Sequence, residues 1–221
     1  MIRTLVQTFD DLPRHFGWLS GEEMARCSTL KNAKRRGDWL LGRWTAKRLV
    51  ADVIGTHSLS DIVVLSALDG APEVFLCGER QFSLSISHSN GHAFCALADE
   101  GLLGADVEQI VPRLDCFVSD YFTTAEQSLV RNSPQSEVAI TAIWSGKEAA
   151  LKALRLGLSV DTRAVTCMIA HGSPRDWTPF GVEVDLARIK RAVSLCGWWR
   201  LQDGFVLTVV SDGQQSPLRS N

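Results

Sequence analysis

The sequence predicts an α+β protein of two similar subdomains, residues 1–101 and 102–221, because each half opens on a helical pattern and continues into short strands closed by turn dipeptides. In the first half a helical pattern spans about 31–54 and stops at Gly55, a residue suited to a left-handed helix end. Residues 62–65 and 74–76 have strand composition. Residues 82–87 alternate apolar Phe82, Leu84 and Ile86 with serines, and Asn90-Gly91 then predicts a tight hairpin into 93–98. A third strand, 102–108, follows the Glu100-Gly101 turn as part of the same meander. In the second half, helices are expected over 124–130 and 136–154. Strands follow at 165–169, 181–184, 197–201 and 205–210, the last two joined at Asp203-Gly204. No residue-level repeat is evident between the halves, and the tail from Gly213 to Asn221 reads as frayed.

Composition narrows the function classes. Of 221 residues 45% are hydrophobic, enough for a sizeable core, and 23 Lys and Arg stand against 25 Asp and Glu. A formal net charge of −2 argues against a nucleic-acid-coating or membrane-surface protein, which needs a positive excess. No apolar run approaches the roughly 18 residues of a membrane span, and Asp10 and Asp11 stand where a signal peptide would have its apolar core. A cytoplasmic protein is expected. The six cysteines are scattered, without a Cys-x-x-Cys pair or a histidine at zinc-ligand spacing, so reduced and mostly buried thiols are expected.

Chemistry concentrates in three places. On the 136–154 helix, Trp144, Glu148, Leu151 and Lys152 fall on neighbouring rows, which sets a carboxylate and an ammonium one turn apart. Some forty residues upstream, Asp106 and Glu108 are two apart, so on a strand both point to one side. Together these acids and the lysine can hold a divalent ion and a phosphate. The 82–89 strand should bury one face and present hydroxyls and His88 at its mouth. From Lys31 to Arg48 there are seven basic residues against Asp38 alone; Arg36, Arg43 and Lys47 recur at spacings of seven and four, beside an apolar stripe of Gly42, Ala46, Leu49 and Val53.

Taken together, Gly-Arg-Trp-Thr-Ala-Lys (42–47), Ser-Ile-Ser-His-Ser (85–89), Gly-Ala-Asp-Val-Glu (104–108) and Trp-Ser-Gly-Lys-Glu-Ala-Ala-Leu-Lys (144–152) resemble, in order and rough spacing, the 4′-phosphopantetheinyl transferases of the surfactin-synthetase-activating type. Tyr121-Phe122-Thr123 with Glu126, and Gly157-Leu158-Ser159, are further echoes. The resemblance covers about residues 30–165. It implies the 4′-phosphopantetheinyl transferase fold, with pseudo-two-fold symmetry of the halves and an active site in the cleft between them. The implied reaction is attack of a carrier-protein serine on the β-phosphorus of coenzyme A, with release of 3′,5′-ADP and a requirement for Mg²⁺. By the same resemblance Asp106, Glu108 and Glu148 are the metal ligands, and Glu148 also takes the serine proton, directly or through water. Lys152 stabilises the departing phosphate, Ser87 and His88 hold the pyrophosphate, and Arg36, Arg43 and Lys47 cradle the phosphates of coenzyme A. Trp144 is expected to be core packing.

The chain departs from the family pattern at Gly70-Ala71-Pro72, where many members carry a basic residue in the middle, and at Arg155, often a glycine. Arg80 or a residue of the basic helix would have to replace the missing cation. A noncatalytic carrier-protein-binding module and a metal-dependent phosphodiesterase are the competing functions. The partners implied are coenzyme A and an apo acyl- or peptidyl-carrier protein, with no nucleic acid and no membrane, and a monomer suffices. The pathway served is not legible.

Overall fold

The computed structural model describes residues 1–213 and 215–219 and divides the chain into two compact units, residues 1–100 with the returning segment from Leu218, and residues 101–217. In chain order the first unit contains β1 (Ile2–Thr8), α1 (Gly21–Thr29), α2 (Ala33–Ile54), β2 (Ile62–Ser66), β3 (Pro72–Leu76), β4 (Glu79–Gln81), β5 (Ser83–Ser89) and β6 (His92–Ala98). The second contains β7 (Leu103–Gln109), α3 (Asp115–Tyr121), α4 (Thr124–Arg131), α5 (Ser136–Ala153), β8 (Val165–Met168), β9 (Thr178–Val184), α6 (Leu186–Ile189), β10 (Leu195–Gln202) and β11 (Phe205–Ser211). Finally β12 (Leu218–Arg219) joins the first unit, parallel to β1. Part of the tail expected to fray is therefore paired; Gln214, Ser220 and Asn221 lie outside the described residues.

The α+β class holds, but each unit begins with a strand rather than a helix. In the first, β1 pairs antiparallel with β6, whose hairpin partner is β5, and α2 packs over them. In the second, β7 pairs antiparallel with β11, whose hairpin partner is β10, and α5 packs over them. The units thus share a strand, long helix, hairpin order. β7 does not continue the β5–β6 meander; it belongs to the five-stranded sheet β7-β11-β10-β9-β8. Both predicted hairpin turns form, with Asn90 and Gly91 at φ 42 and 80 and Asp203 and Gly204 at φ 51 and 80, as a two-residue turn matched to strand twist requires.

Helix α2 starts where the Asn32 side chain accepts from the Arg35 N–H and ends at Gly55 in the left-handed region. Its Ala46, Leu49 and Val50 meet Ile62, Val64, Val74 and Leu84 in one core. Helix α5 buries Ile143, Ala149, Ala150 and Leu151 against Val165, Trp199, Val206 and Val210. Each core receives an ion pair in the same manner. Ser20 and Glu23 form a capping box at the start of α1, and buried Glu23 pairs with buried Lys47 of α2 while accepting from the Val64 N–H at 3.1 Å. Thr123 and Glu126 form the same box on α4, and buried Glu126 pairs at 2.7 Å with buried Lys147 of α5 while accepting from the Cys167 N–H at 2.7 Å. These lysines end two matching tetrapeptides, Trp44-Thr45-Ala46-Lys47 and Trp144-Ser145-Gly146-Lys147, so a residue-level repeat does exist, one hundred positions apart. All six cysteines are free; Cys27, Cys95 and Cys167 are buried, and Cys77 and Cys116 are exposed.

Candidate active site

In the second unit, edge strand β7 sets Asp106 and Glu108 on the face toward α5. Helix and strand come this close because residue 104 is glycine: a Cβ there would run into the Ala149 carbonyl oxygen and lie 2.6 Å from the Ala153 nitrogen. The close approach brings Lys152 Nζ to 2.6 Å from Asp106 Oδ1 and 3.2 Å from the Ala105 carbonyl oxygen. Asp106 is 2% exposed. Its other oxygen, Oδ2, accepts from the Ser145 hydroxyl at 2.8 Å, and Ser145 Oγ lies 2.8 Å from Thr208 Oγ1 on β11.

Glu108 accepts from Arg113 at 3.2 Å and from the Trp144 side chain. Burial first, and then the Asp106 charge, push its carboxyl above the usual range. Glu148 is pushed up to about 7, by burial first and then by Asp106, with Glu108 adding to the repulsion and Lys152 opposing it. Glu148 is thereby placed where proton transfer near neutral pH is easiest. Three mutually repelling carboxylates offer hard oxygen donors and excess negative charge, which fits a hard divalent cation. Among the described residues, however, no three His, Cys, Asp or Glu side chains converge into a ready cation cage. Lys152 and Arg113 occupy positions on Asp106 and Glu108 that a cation would contest.

In the first unit, an open groove of about 800 Å³ is lined by the start of α2, by Ser66, by the Gly70 to Pro72 turn and by Ile86 and His88 of β5. Lys34, Arg35 and Arg43 contribute positive charge to it. Arg43 is 7% exposed, donates to Ser66 Oγ at 3.3 Å and lies 5.1 Å over the Trp39 ring, while its buried Nε has no partner. Burial lowers its pKa, the first of the causes acting on it.

Three sequence expectations change here. Lys47 does not reach this groove: it is fully buried, with Glu23 and the Trp18 carbonyl oxygen as partners, because its row of α2 faces α1. Arg36 is exposed but off the groove lining, where its neighbour Arg35 stands instead. Ser87 and His88 point to opposite sides of β5, as a period of two demands; His88 shares the groove face with Ile86, and Ser87 is buried. Arg80 pairs with Glu73 at 3.4 Å and does not line the groove, where the cations are Arg26, Lys34, Arg35 and Arg43. Arg155 holds the left-handed position after α5, at φ 58, that a glycine would occupy without strain.

Arg113, Ser145 and Thr208 escaped the sequence reading. Arg113 sits in an irregular segment beyond β7, and Ser145 and Thr208 reach Asp106 only through helix-on-sheet packing. Trp144 packs against Phe117 and Tyr121 as expected of a core residue, with its indole serving Glu108 as well. Phe122, Thr123 and Glu126 are structural.

Residues 102–209, which hold every one of these second-unit groups, match the family model of the 4′-phosphopantetheinyl transferase superfamily. The match is to a superfamily of transferase enzymes and covers just under half of the chain. No curated protein sequence matches. Among solved structures, a Bacillus anthracis holo-(acyl-carrier-protein) synthase in complex with CoA (3′,5′-ADP) is 24% identical, with 43% of this chain and 91% of that chain covered and a TM-score of 0.39. A Helicobacter pylori holo-[acyl-carrier-protein] synthase in complex with coenzyme A is 18% identical over 49% of this chain and 96% of that one, with a TM-score of 0.38. The Plasmodium yoelii holo-ACP-synthase is 18% identical, with 43% and 90% covered and a TM-score of 0.36. These likenesses span less than half of this chain.

Proposed function

We propose that the chain is a 4′-phosphopantetheinyl transferase of the surfactin-synthetase-activating type, moving phosphopantetheine from coenzyme A to a serine of an apo acyl- or peptidyl-carrier protein. The observation that carries this reading is the constellation of Asp106, Glu108, Glu148 and Lys152, set by the Gly104 contact inside the span that matches the superfamily. Two units of like topology in one chain, each with its Trp-Ser/Thr-small-Lys tetrapeptide, support the two-halved type.

The carrier serine oxygen forms a bond to the β-phosphorus as the bond from that phosphorus to 3′,5′-ADP breaks. Glu148, whose carboxyl is pushed up to about 7, accepts the serine proton directly or through water. Lys152, paired with Asp106 at 2.6 Å, offers its ammonium to the charge that grows on the departing phosphate. A Mg²⁺ ion held by Asp106, Glu108 and Glu148 would supply neutralisation of the pyrophosphate. Arg43, with its desolvated guanidinium, and His88 in the same groove are assigned to the phosphates of coenzyme A.

Purified protein is incubated with coenzyme A, Mg²⁺ and an apo carrier protein, and the carrier is weighed. A gain of one phosphopantetheine is expected. Coenzyme A cleaved with no gain on the carrier would point to the phosphodiesterase, and an unchanged mixture to a noncatalytic binding module.

A further inference from the structure

Beneath the candidate site, apart from the buried Glu126–Lys147 pair, the helix–sheet seam carries a second buried polar group. Where α5 packs on β7 and β11, the hydroxyls of Ser145 and Thr208, both fully buried, form a contact chain to Asp106. Asp106 and Thr208 are directly opposed in the β7–β11 register, so the strand pairing itself sets their separation. Ser145 reaches them from the helix, three residues before Glu148 and seven before Lys152.

The hydrogens dictate a direction. Ser145 donates its single hydroxyl hydrogen to Asp106 Oδ2, at 2.8 Å. The 2.8 Å contact between Ser145 Oγ and Thr208 Oγ1 is then a bond only if Thr208 donates. Thr208 Oγ1 is also 2.9 Å from the Ser145 carbonyl oxygen, so its one hydrogen faces two acceptors on the same residue. Whether that hydrogen goes to the Ser145 hydroxyl or to its carbonyl oxygen, Thr208 anchors Ser145, and Ser145 donates to Asp106 Oδ2. Oδ1 is left turned toward Lys152.

We infer that Ser145 and Thr208 are positioning residues that act on the site only through Asp106, in the order Thr208, Ser145, Asp106. The inference deepens the proposed function and rests on its assignment of Asp106 to the reacting centre. Partners that orient a ligating carboxylate typically matter about 10- to 100-fold in metal affinity or turnover. Because Ser145 donates to Asp106 directly, its loss should exceed that of Thr208. Once Ser145 is alanine, Thr208 has nothing left to transmit.

The test pairs two substitutions that a packing role and a hydrogen-bond role rank oppositely. Thr208→Val keeps the volume and loses the hydroxyl, whereas Thr208→Ser keeps the hydroxyl and loses a methyl. With Mn²⁺ alone as probe, followed by electron paramagnetic resonance, Thr208→Val should weaken binding about threefold and Ser145→Ala about tenfold or more, while Thr208→Ser stays near wild type. The double variant Ser145→Ala/Thr208→Val should match Ser145→Ala. Weaker binding by Thr208→Ser than by Thr208→Val, or a double variant clearly worse than Ser145→Ala, would overturn the order; so would wild-type affinity in Ser145→Ala. Should Ser145→Ala not fold, the Thr208 pair still decides. Should wild type itself bind no Mn²⁺ and transfer nothing, the proposed function fails separately, and crystal structures of Thr208→Val and Thr208→Ser decide the relay. An Asp106 carboxylate turned away from residue 145 only in the valine variant supports it, and one unmoved in both overturns it.

Discussion

Replacing Glu148 by glutamine should make the protein more stable and inactive, by amounts that depend on pH in a defined way. The Glu148 carboxyl, ordinarily near 4.5, is pushed up to about 7 by burial and by the charges of Asp106 and Glu108. The folded protein therefore binds this proton more tightly than the unfolded chain, and ionising it disfavours the fold. The cost is absent below the unfolded value, grows as pH rises from 4.5 toward 7, and is fully present above that. At about 1.4 kcal/mol per pH unit, ionised Glu148 costs about 3 kcal/mol at pH 8 and under about 1 kcal/mol at pH 5. Glutamine keeps the shape without the charge, so urea unfolding in chelator should report a gain about 2 kcal/mol larger at pH 8 than at pH 5. Added Mn²⁺ should stabilise wild type at pH 8 and the glutamine variant far less. An equal gain at both pH values, or a loss at pH 8, would refute the electrostatic origin of the strain.

Gly104→Ala should cost about 3 kcal/mol by forcing α5 away from β7, and whatever folds should lose transfer activity through displacement of Lys152 and Glu148; thermal melts and the carrier mass assay check both. Lys147→Met should destabilise by about 3–5 kcal/mol because Glu126 is left charged and buried, whereas Lys147→Met combined with Glu126→Leu should recover most of the loss in chemical denaturation. Arg43→Ala should raise the apparent KM for coenzyme A and leave that for the carrier nearly unchanged, while Lys47→Met should lower stability with no selective effect on coenzyme A; steady-state kinetics beside melting curves separate the two.

Local sequence determined most element types, since periodicity, caps and the two hairpin turns are short-range properties. The Ser20-x-x-Glu23 capping box at the start of α1 is likewise a short-range signal. The same holds for the acids and the lysine: two residues apart on a strand, or four on a helix, fixes which side chains share a face. The matching Trp-Thr-Ala-Lys and Trp-Ser-Gly-Lys tetrapeptides were also in plain view, but one hundred residues separate them and neither is distinctive alone. Tertiary structure decided which strand β7 joins, because hydrogen-bonding partners across a sheet are not encoded by alternation. It decided that Lys47 lies in the core and Arg43 at the groove, although both belong to one basic helix face; burial of a cation depends on a distant partner, here Glu23, that helical spacing cannot see. And it decided what surrounds Asp106, since Ser145 and Thr208 meet it only where a helix backbone packs against glycine on a neighbouring strand.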